Sequence, residues 1–211
     1  MIGRLLRAPL RFVPKQMIVP ILQGPLRGKK WIAGSSNHGC WLGTYELATQ
    51  KAFRRVVKRG DVVYDIGANV GLYTLLASVC AGPKGRVYCY EPLPANIVEL
   101  RKHVAINHLA NCEIIEAAVS DKEGTARFDS SRPRSMGQVS ENGNEIVRVV
   151  SIDLLVATGA TLPPNVLKID VEGEESESTA RRRANAGRAQ PRDFSSDSRA
   201  GSAASLHFLF K

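Results

Sequence analysis

The stretch "VVYDIGANVGLYTLLA" (residues 62–77) limits the possible folds more than any other part of the chain. A short β-branched run, a glycine turn and an apolar helical run, in that order, build one strand–turn–helix unit. The pattern then repeats. "RVYCYEP" (86–92) and "CEIIEAAVS" (112–120) read as two further strands, and "ANIVELRKHVAINH" between them as a helix burying Ile97, Leu100, Val104 and Ile106. Upstream, "YELATQKAFRRVVKRGD" reads as an amphipathic helix with Leu47, Phe53, Val56 and Val57 on one face, stopped at Gly60. Strands alternating with helices at this spacing specify an α/β fold with a Rossmann-like parallel sheet and flanking helices. Beyond the third strand, "GTARFD" and "IVRVVSID" flank a polar loop and read as an antiparallel pair. "NVLKIDVEG" reads as one more parallel strand.

The formal charge of +9 is unevenly distributed. Residues 1–60 hold twelve Lys or Arg and a single acid, Glu46, whereas residues 61–175 hold ten basic and sixteen acidic residues. The middle of the chain is therefore acidic, and a basic nucleic-acid groove across the fold is not expected. The four cysteines and four histidines show neither CxxC nor metal-ligand spacing, so reduced thiols, no metal and a cytoplasmic location are expected. Residues 1–30 alternate apolar and basic residues across four prolines. One reading is a surface-seeking segment, membrane-peripheral on anionic lipid. The other, preferred on sequence, is a poorly ordered or packing-only N-terminal extension.

The glycine turn, Gly67-Ala68-Asn69-Val70-Gly71, departs from the dinucleotide pattern GxGxxG by placing Asn69 where the middle glycine would stand. Asp65, two residues earlier, adds a negative charge where a pyrophosphate would sit. At about 4–5 Å such repulsion costs several kcal/mol at an effective dielectric near 20. Both features favour a phosphate-free, cationic cofactor such as S-adenosylmethionine over NAD. The helix N-terminus near Gly71 is then placed to meet the cofactor's carboxylate. Glu91, twenty residues past Gly71, suits a ribose diol. "AAVSD" (117–121) offers small residues for an adenine face, with Ser120 or Asp121 near its amine.

In family order, "GTYE" (43–46), "DIGANVG", "YEPLPANIVELRKHVAIN", "EAAVSD", "VSID" and "LKIDVEGEE" resemble the FkbM-type family of S-adenosylmethionine-dependent methyltransferases over roughly residues 40–175. The resemblance implies a class I methyltransferase fold and O-methylation of a sugar, glycan or natural-product hydroxyl. It implies a cofactor site of Asp65, Gly67, Ala68, Asn69, Gly71, Tyr73, Thr74, Glu91, Pro92 and Asn96, extended by Ala118, Ser120 and Asp121. It also implies that Asp170 and Glu172 face the methyl group and the acceptor. The rival readings are an NAD-dependent oxidoreductase and a non-catalytic basic adaptor. Neither the acceptor nor the oligomeric state is specified.

The expected organisation is a basic extension (1–40), a partial methyltransferase domain (41–175) and a disordered tail (176–211). The tail is rich in Ser, Arg, Ala and Gly and lacks apolar periodicity. Codons for residues 176–194 can be chosen so that reading from the second base gives an amphipathic helix and the start of a strand. A frameshifted tail is therefore expected, along with a fold incomplete at its C-terminus, an uncovered edge on the "NVLKID" strand and impaired activity.

Overall fold

The computed structural model of the protein describes residues 13–129, 138–139, 143–170 and 207–210. Three sheets organise them. An N-terminal hairpin pairs β1 (Ile18–Pro20) with β2 (Lys30–Ile32). Two helices follow, α1 (His38–Leu42) and α2 (Leu47–Val56). The central sheet is built from β3 (Val62–Ile66), α3 (Leu72–Ala81), β4 (Arg86–Tyr90), α4 (Pro94–Ile106) and β5 (Cys112–Ile115). A second sheet holds β6 (Ala118–Ser120), β7 (Gly124–Asp129), β8 (Gln138–Val139) and β9 (Glu145–Ser151) in the order β6-β9-β7-β8. The short helix α5 (Ile152–Ala157) then leads to β10 (Val166–Ile169), and β11 (His207–Phe210) closes the central sheet.

The central order is β11-β10-β3-β4-β5, parallel except for the antiparallel β11. From β3 the chain winds outward to β4 and β5, and β10 then lands on the other side of β3. That reversal is a topological switch point, where open α/β sheets hold ligands beyond their carboxyl strand ends. The expected Rossmann-like α/β class is the one present.

β3 is central and covered on both faces, which explains its near-continuous apolar run. One face packs Val63, Val87 and Val166 against Leu75, Leu76 and Leu100. The other packs Tyr64, Tyr88 and Tyr90 against Val150, Ile169 and α5. Helix α3 is buried at eight of its ten residues, because the sheet lies on one side and α2 and the hairpin on the other. At the α3 entrance, Gly71 has φ +99°, and a Cβ there would lie 2.6 Å from Leu100 Cδ1, so a larger residue would be strained and would displace the Leu100 side chain.

Three expectations change. The run 112–120 is two strands rather than one. β5 ends at Ile115, the chain turns through Glu116 and Ala117, and β6 joins the second sheet parallel to β9. Helix α2 ends at Val56, with Val57 already extended, before Gly60 is reached. The outer edge of β10 is not uncovered, since β11 pairs along its whole length. The expected antiparallel pair is present as β7 and β9, and the expected parallel strand as β10. The rest of the expected disordered tail lies outside the described residues.

His103 ties the hairpin to the glycine turn. Its ring stacks on Trp31 at 3.8 Å, Nδ1–H donates to Val70 O at 2.7 Å, and Nε2 accepts from Ile32 N–H at 3.1 Å. Only the neutral ring can make both bonds, and burial pushes its pKa below the ordinary histidine value. Replacing His103 with Phe keeps the stack but leaves a buried N–H and C=O unpaired, for an expected loss of roughly 1–3 kcal/mol. Because the folded pKa is depressed, this contribution should be full above about pH 6.5 and disappear as pH falls below it. Urea midpoints of wild type and His103→Phe, compared near neutrality and near pH 5, should therefore converge on the acid side.

Candidate active site

Asp65 lies on β3 with only 1% of its surface exposed, a position where an uncompensated carboxylate would be prohibitive. The parallel register puts Lys168 of β10 directly opposite. Lys168 Nζ lies 3.0 Å from Asp65 Oδ1, close enough for an ion pair although not aligned as a hydrogen bond. It also donates to Gly67 O at 3.0 Å. Thr74 Oγ1, from the first turns of α3, donates to Asp65 Oδ2 at 2.6 Å. Burial disfavours the Lys168 ammonium, but Asp65 and Asp170 more than offset it and hold its pKa above the ordinary lysine value.

This corrects the electrostatic expectation for Asp65. Both of its oxygens are engaged inside the protein, and its charge is balanced by Lys168 rather than offered to a cationic ligand. Thr74 is likewise directed inward. The case against a dinucleotide moves to the turn itself. Gly67 and Ala68 N–H both donate to Tyr90 O at 3.0 Å, and Asn69 N–H donates to Glu91 Oε2 at 2.7 Å. Val70 N–H donates to Asn69 Oδ1 at 2.7 Å, and Gly71 N–H to Ala68 O at 2.9 Å. Every amide of residues 67–71 is thus taken, and none is left to cradle a pyrophosphate. Asn69 holds φ 50°, the left-handed region that a short amide side chain tolerates.

Glu91, at the end of β4, is 4% exposed. Oε1 accepts from Leu93 N–H at 3.0 Å and Asn96 Nδ2 at 3.1 Å, while Oε2 accepts from Asn69 N–H. Burial raises its pKa against these bonds. A carboxylate offers about four acceptor positions, so one remains, on Oε2. That suits one ribose hydroxyl, not the two-handed grip expected from sequence. Pro92 and Leu93 form the next corner, where Leu93 packs with Phe128, Val147 and Ala118. β6 is thereby brought beside Glu91. At its far end Ser120 Oγ donates to Asp121 Oδ1 at 3.1 Å.

Asp170 follows β10 and keeps 29% of its side chain exposed, with Oδ2 3.5 Å from Lys168 Nζ. It is the carboxylate of this cluster that reaches the surface, whereas Asp65 is sealed. Glu172 lies outside the described residues. Sequence reasoning assigned no role to three neighbours. Lys168 Nζ sits 5.2 Å from the Tyr73 ring centre, and Tyr73 Oη donates to Glu46 Oε2 at 2.8 Å. Tyr45 stands beside Glu46. Burial and the Glu46 and Asp170 carboxylates push both phenol pKa values well up, so both remain protonated. Glu46 and Tyr45 come from the quoted "GTYE" segment, the signal that could have marked them. Glu46 has φ 44°, a strained conformation for a non-glycine residue at the start of α2.

The geometry fits a nucleoside bearing a carboxylate and no phosphates. The residues offered are a saturated glycine turn, an α3 N-terminus without a side-chain cap, and one acceptor position on Glu91.

Residues 65–178 match the profile described as the methyltransferase FkbM domain. The hexuronic acid methyltransferase AglP of Haloferax volcanii is 31% identical over 121 residues, covering 56% of this chain and 48% of that protein. The 31-O-demethyl-FK506 methyltransferase FkbM of Streptomyces tacrolimicus is 34% identical over 86 residues, covering 39% and 32%. The matched part thus spans less than half of either relative. Among solved structures, a protein of Clostridium thermocellum assigned provisionally as an rRNA methylase aligns with TM-score 0.44 at 13% identity, over 77% of this chain and 93% of that one. A methyltransferase-like protein of Streptococcus mutans in complex with SAH aligns with TM-score 0.42 at 12% identity, over 77% and 95%.

Removing one member of the buried pair should be costly. Lys168→Met is expected to destabilise the fold by about 3–5 kcal/mol, because Asp65 is left charged and unpaired. The double variant Lys168→Met/Asp65→Leu should recover most of that loss, and a urea double-mutant cycle measures both.

Proposed function

We propose that this chain, which belongs to the FkbM methyltransferase domain family, transfers a methyl group from S-adenosylmethionine to a hydroxyl of a sugar or natural-product acceptor. The observation that carries the reading is the self-satisfied glycine turn beside Glu91, which accommodates an adenosine without a pyrophosphate. The name of the 31-O-demethyl-FK506 methyltransferase supports an oxygen acceptor on a natural product, and that of the hexuronic acid methyltransferase a sugar acceptor. The same turn disfavours the rival NAD-dependent oxidoreductase.

When bound, S-adenosylmethionine supplies an electrophilic methyl carbon on a sulfonium that departs as a neutral thioether. The protein's contribution is mainly positional, holding the acceptor oxygen in line. Glu91 Oε2 would hold a ribose hydroxyl, and the α3 N-terminus would meet the carboxylate of the amino-acid end. Gly67, Ala68 and Gly71 shape the turn, while Asn69 and Asn96 fix it and Glu91 in place. Tyr73, Thr74 and Pro92 build the supporting wall, and Ala118, Ser120 and Asp121 lie on the adenine side.

Asp170 accepts the proton of the acceptor hydroxyl. Lys168 Nζ, 3.5 Å from Oδ2, restrains the direction of that carboxylate. Tyr73, hydrogen-bonded to Glu46, borders the same mouth.

Calorimetry should detect S-adenosylhomocysteine and no heat from NAD. Glu91→Ala should weaken that binding by about tenfold or more, since a hydrogen bond to a buried carboxylate contributes on the order of 1.5–3 kcal/mol. Asp170→Asn should leave binding unchanged and lower turnover with an added hydroxyl acceptor by roughly a hundredfold. Heat from NAD with none from S-adenosylhomocysteine would reverse the assignment.

A further inference from the structure

We infer that the outward face of the β1–β2 hairpin docks this chain on an anionic lipid surface. A hairpin packed on a core normally alternates apolar residues inward with polar residues outward. Val19, Ile21 and Trp31 are buried on the inward face. On the alternate face Ile32 is covered as well, yet Ile18 and Leu22, with Met17 beside them, are each about half exposed. Exposed aliphatic side chains grouped on one small element mark a contact surface more often than chance exposure does.

The charge carried by the hairpin's own segment is of one sign. Lys15, Arg27 and Lys30 are exposed next to the three aliphatic residues, and the first acid in the chain is Glu46. Residues 1–12 continue the composition in sequence, with three arginines among four bulky aliphatic residues and Phe12. Aliphatic side chains with surrounding lysines and arginines match the lipid–water boundary, where the former enter the acyl region and the latter meet anionic headgroups. A second copy of the chain is a poor occupant, because two such faces would oppose cation to cation. Single-stranded nucleic acid is a poor one too, because it asks for exposed stacking rings, and Trp31 and Trp41 are both buried.

The hairpin is also presented rigidly. Ile32 N–H is held by His103 and Lys30 N–H by Asn107 Oδ1 at 2.9 Å, so the outward face needs no reorganisation to engage a flat surface. The same Trp31–His103 contact reaches Val70 in the glycine turn, which places the docked face next to the proposed cofactor site.

The test is co-sedimentation of the full chain with vesicles of phosphatidylcholine, with and without phosphatidylglycerol, over a range of salt. Binding is expected only with phosphatidylglycerol present. It should fall about tenfold or more both for Ile18→Ser/Leu22→Ser and for Lys15→Gln/Arg27→Gln/Lys30→Gln. Thermal melts of both variants should match wild type, because the replaced side chains are at the surface. No vesicle binding would overturn the inference. So would binding that survives Ile18→Ser/Leu22→Ser, which would trace it to the charged termini alone. A dimer by light scattering that the same variant disperses, or an RNA oligonucleotide that competes the vesicles away, would assign the face to another partner. Methyl-donor binding is expected to be unchanged in these variants, so a failure here is distinguishable from a failure of the methyltransferase assignment.

Discussion

The Asp65–Lys168 pair is the contact on which the arrangement of the site rests. Two opposite charges have been taken almost wholly out of water on adjacent parallel strands, and such a pair is tolerated only when its remaining hydrogen-bonding capacity is also met. Here Thr74 meets part of it from α3, and the Gly67 carbonyl meets part of it from the turn. Four segments distant in sequence are thereby held in one register: the end of β3, the turn after it, the start of α3 and the end of β10. An apolar pair of similar volume could fill the same space, but it would fix neither the turn carbonyl nor the Asp170 carboxylate 3.5 Å away.

Around that pair the site divides into a sealed half and an open half. Asp65, Thr74 and Lys168 belong to the sealed half and act on the ligand only through geometry. Asp170 and Tyr45 belong to the open half, with Glu46 reaching it through a backbone conformation that a non-glycine residue seldom takes. Lys168, in the sealed half, is shared between the Asp65 and Asp170 carboxylates and so links the two halves.

Much of this was visible in the chain before any coordinates. The alternation of strands and helices gave the parallel sheet, and the position of Glu91 after a strand identified the corner where it now accepts three hydrogen bonds. Asp65 was visible as an anomaly, but its resolution was not. The compensating Lys168 lies about a hundred residues away in sequence, and only the β3–β10 register brings the two together. The division of residues 112–120 between two sheets was hidden for a related reason. No glycine or proline marks the bend at Glu116 and Ala117, and the strand beyond it pairs with β9, a partner downstream. His103 carried no local signal either. A buried histidine satisfied by a carbonyl and an amide cannot be told, from sequence alone, from a surface one.

The closed set of amide bonds in the 67–71 turn has a kinetic consequence. A loop that depends on its ligand to satisfy the backbone must fold when the ligand arrives and unravel when it leaves, so ordering is coupled to every turnover. This turn is already complete through Tyr90, Glu91 and Asn69. On the proposed assignment, loading and unloading of the small molecule requires no refolding of this turn, and binding should carry little heat-capacity change from backbone rearrangement.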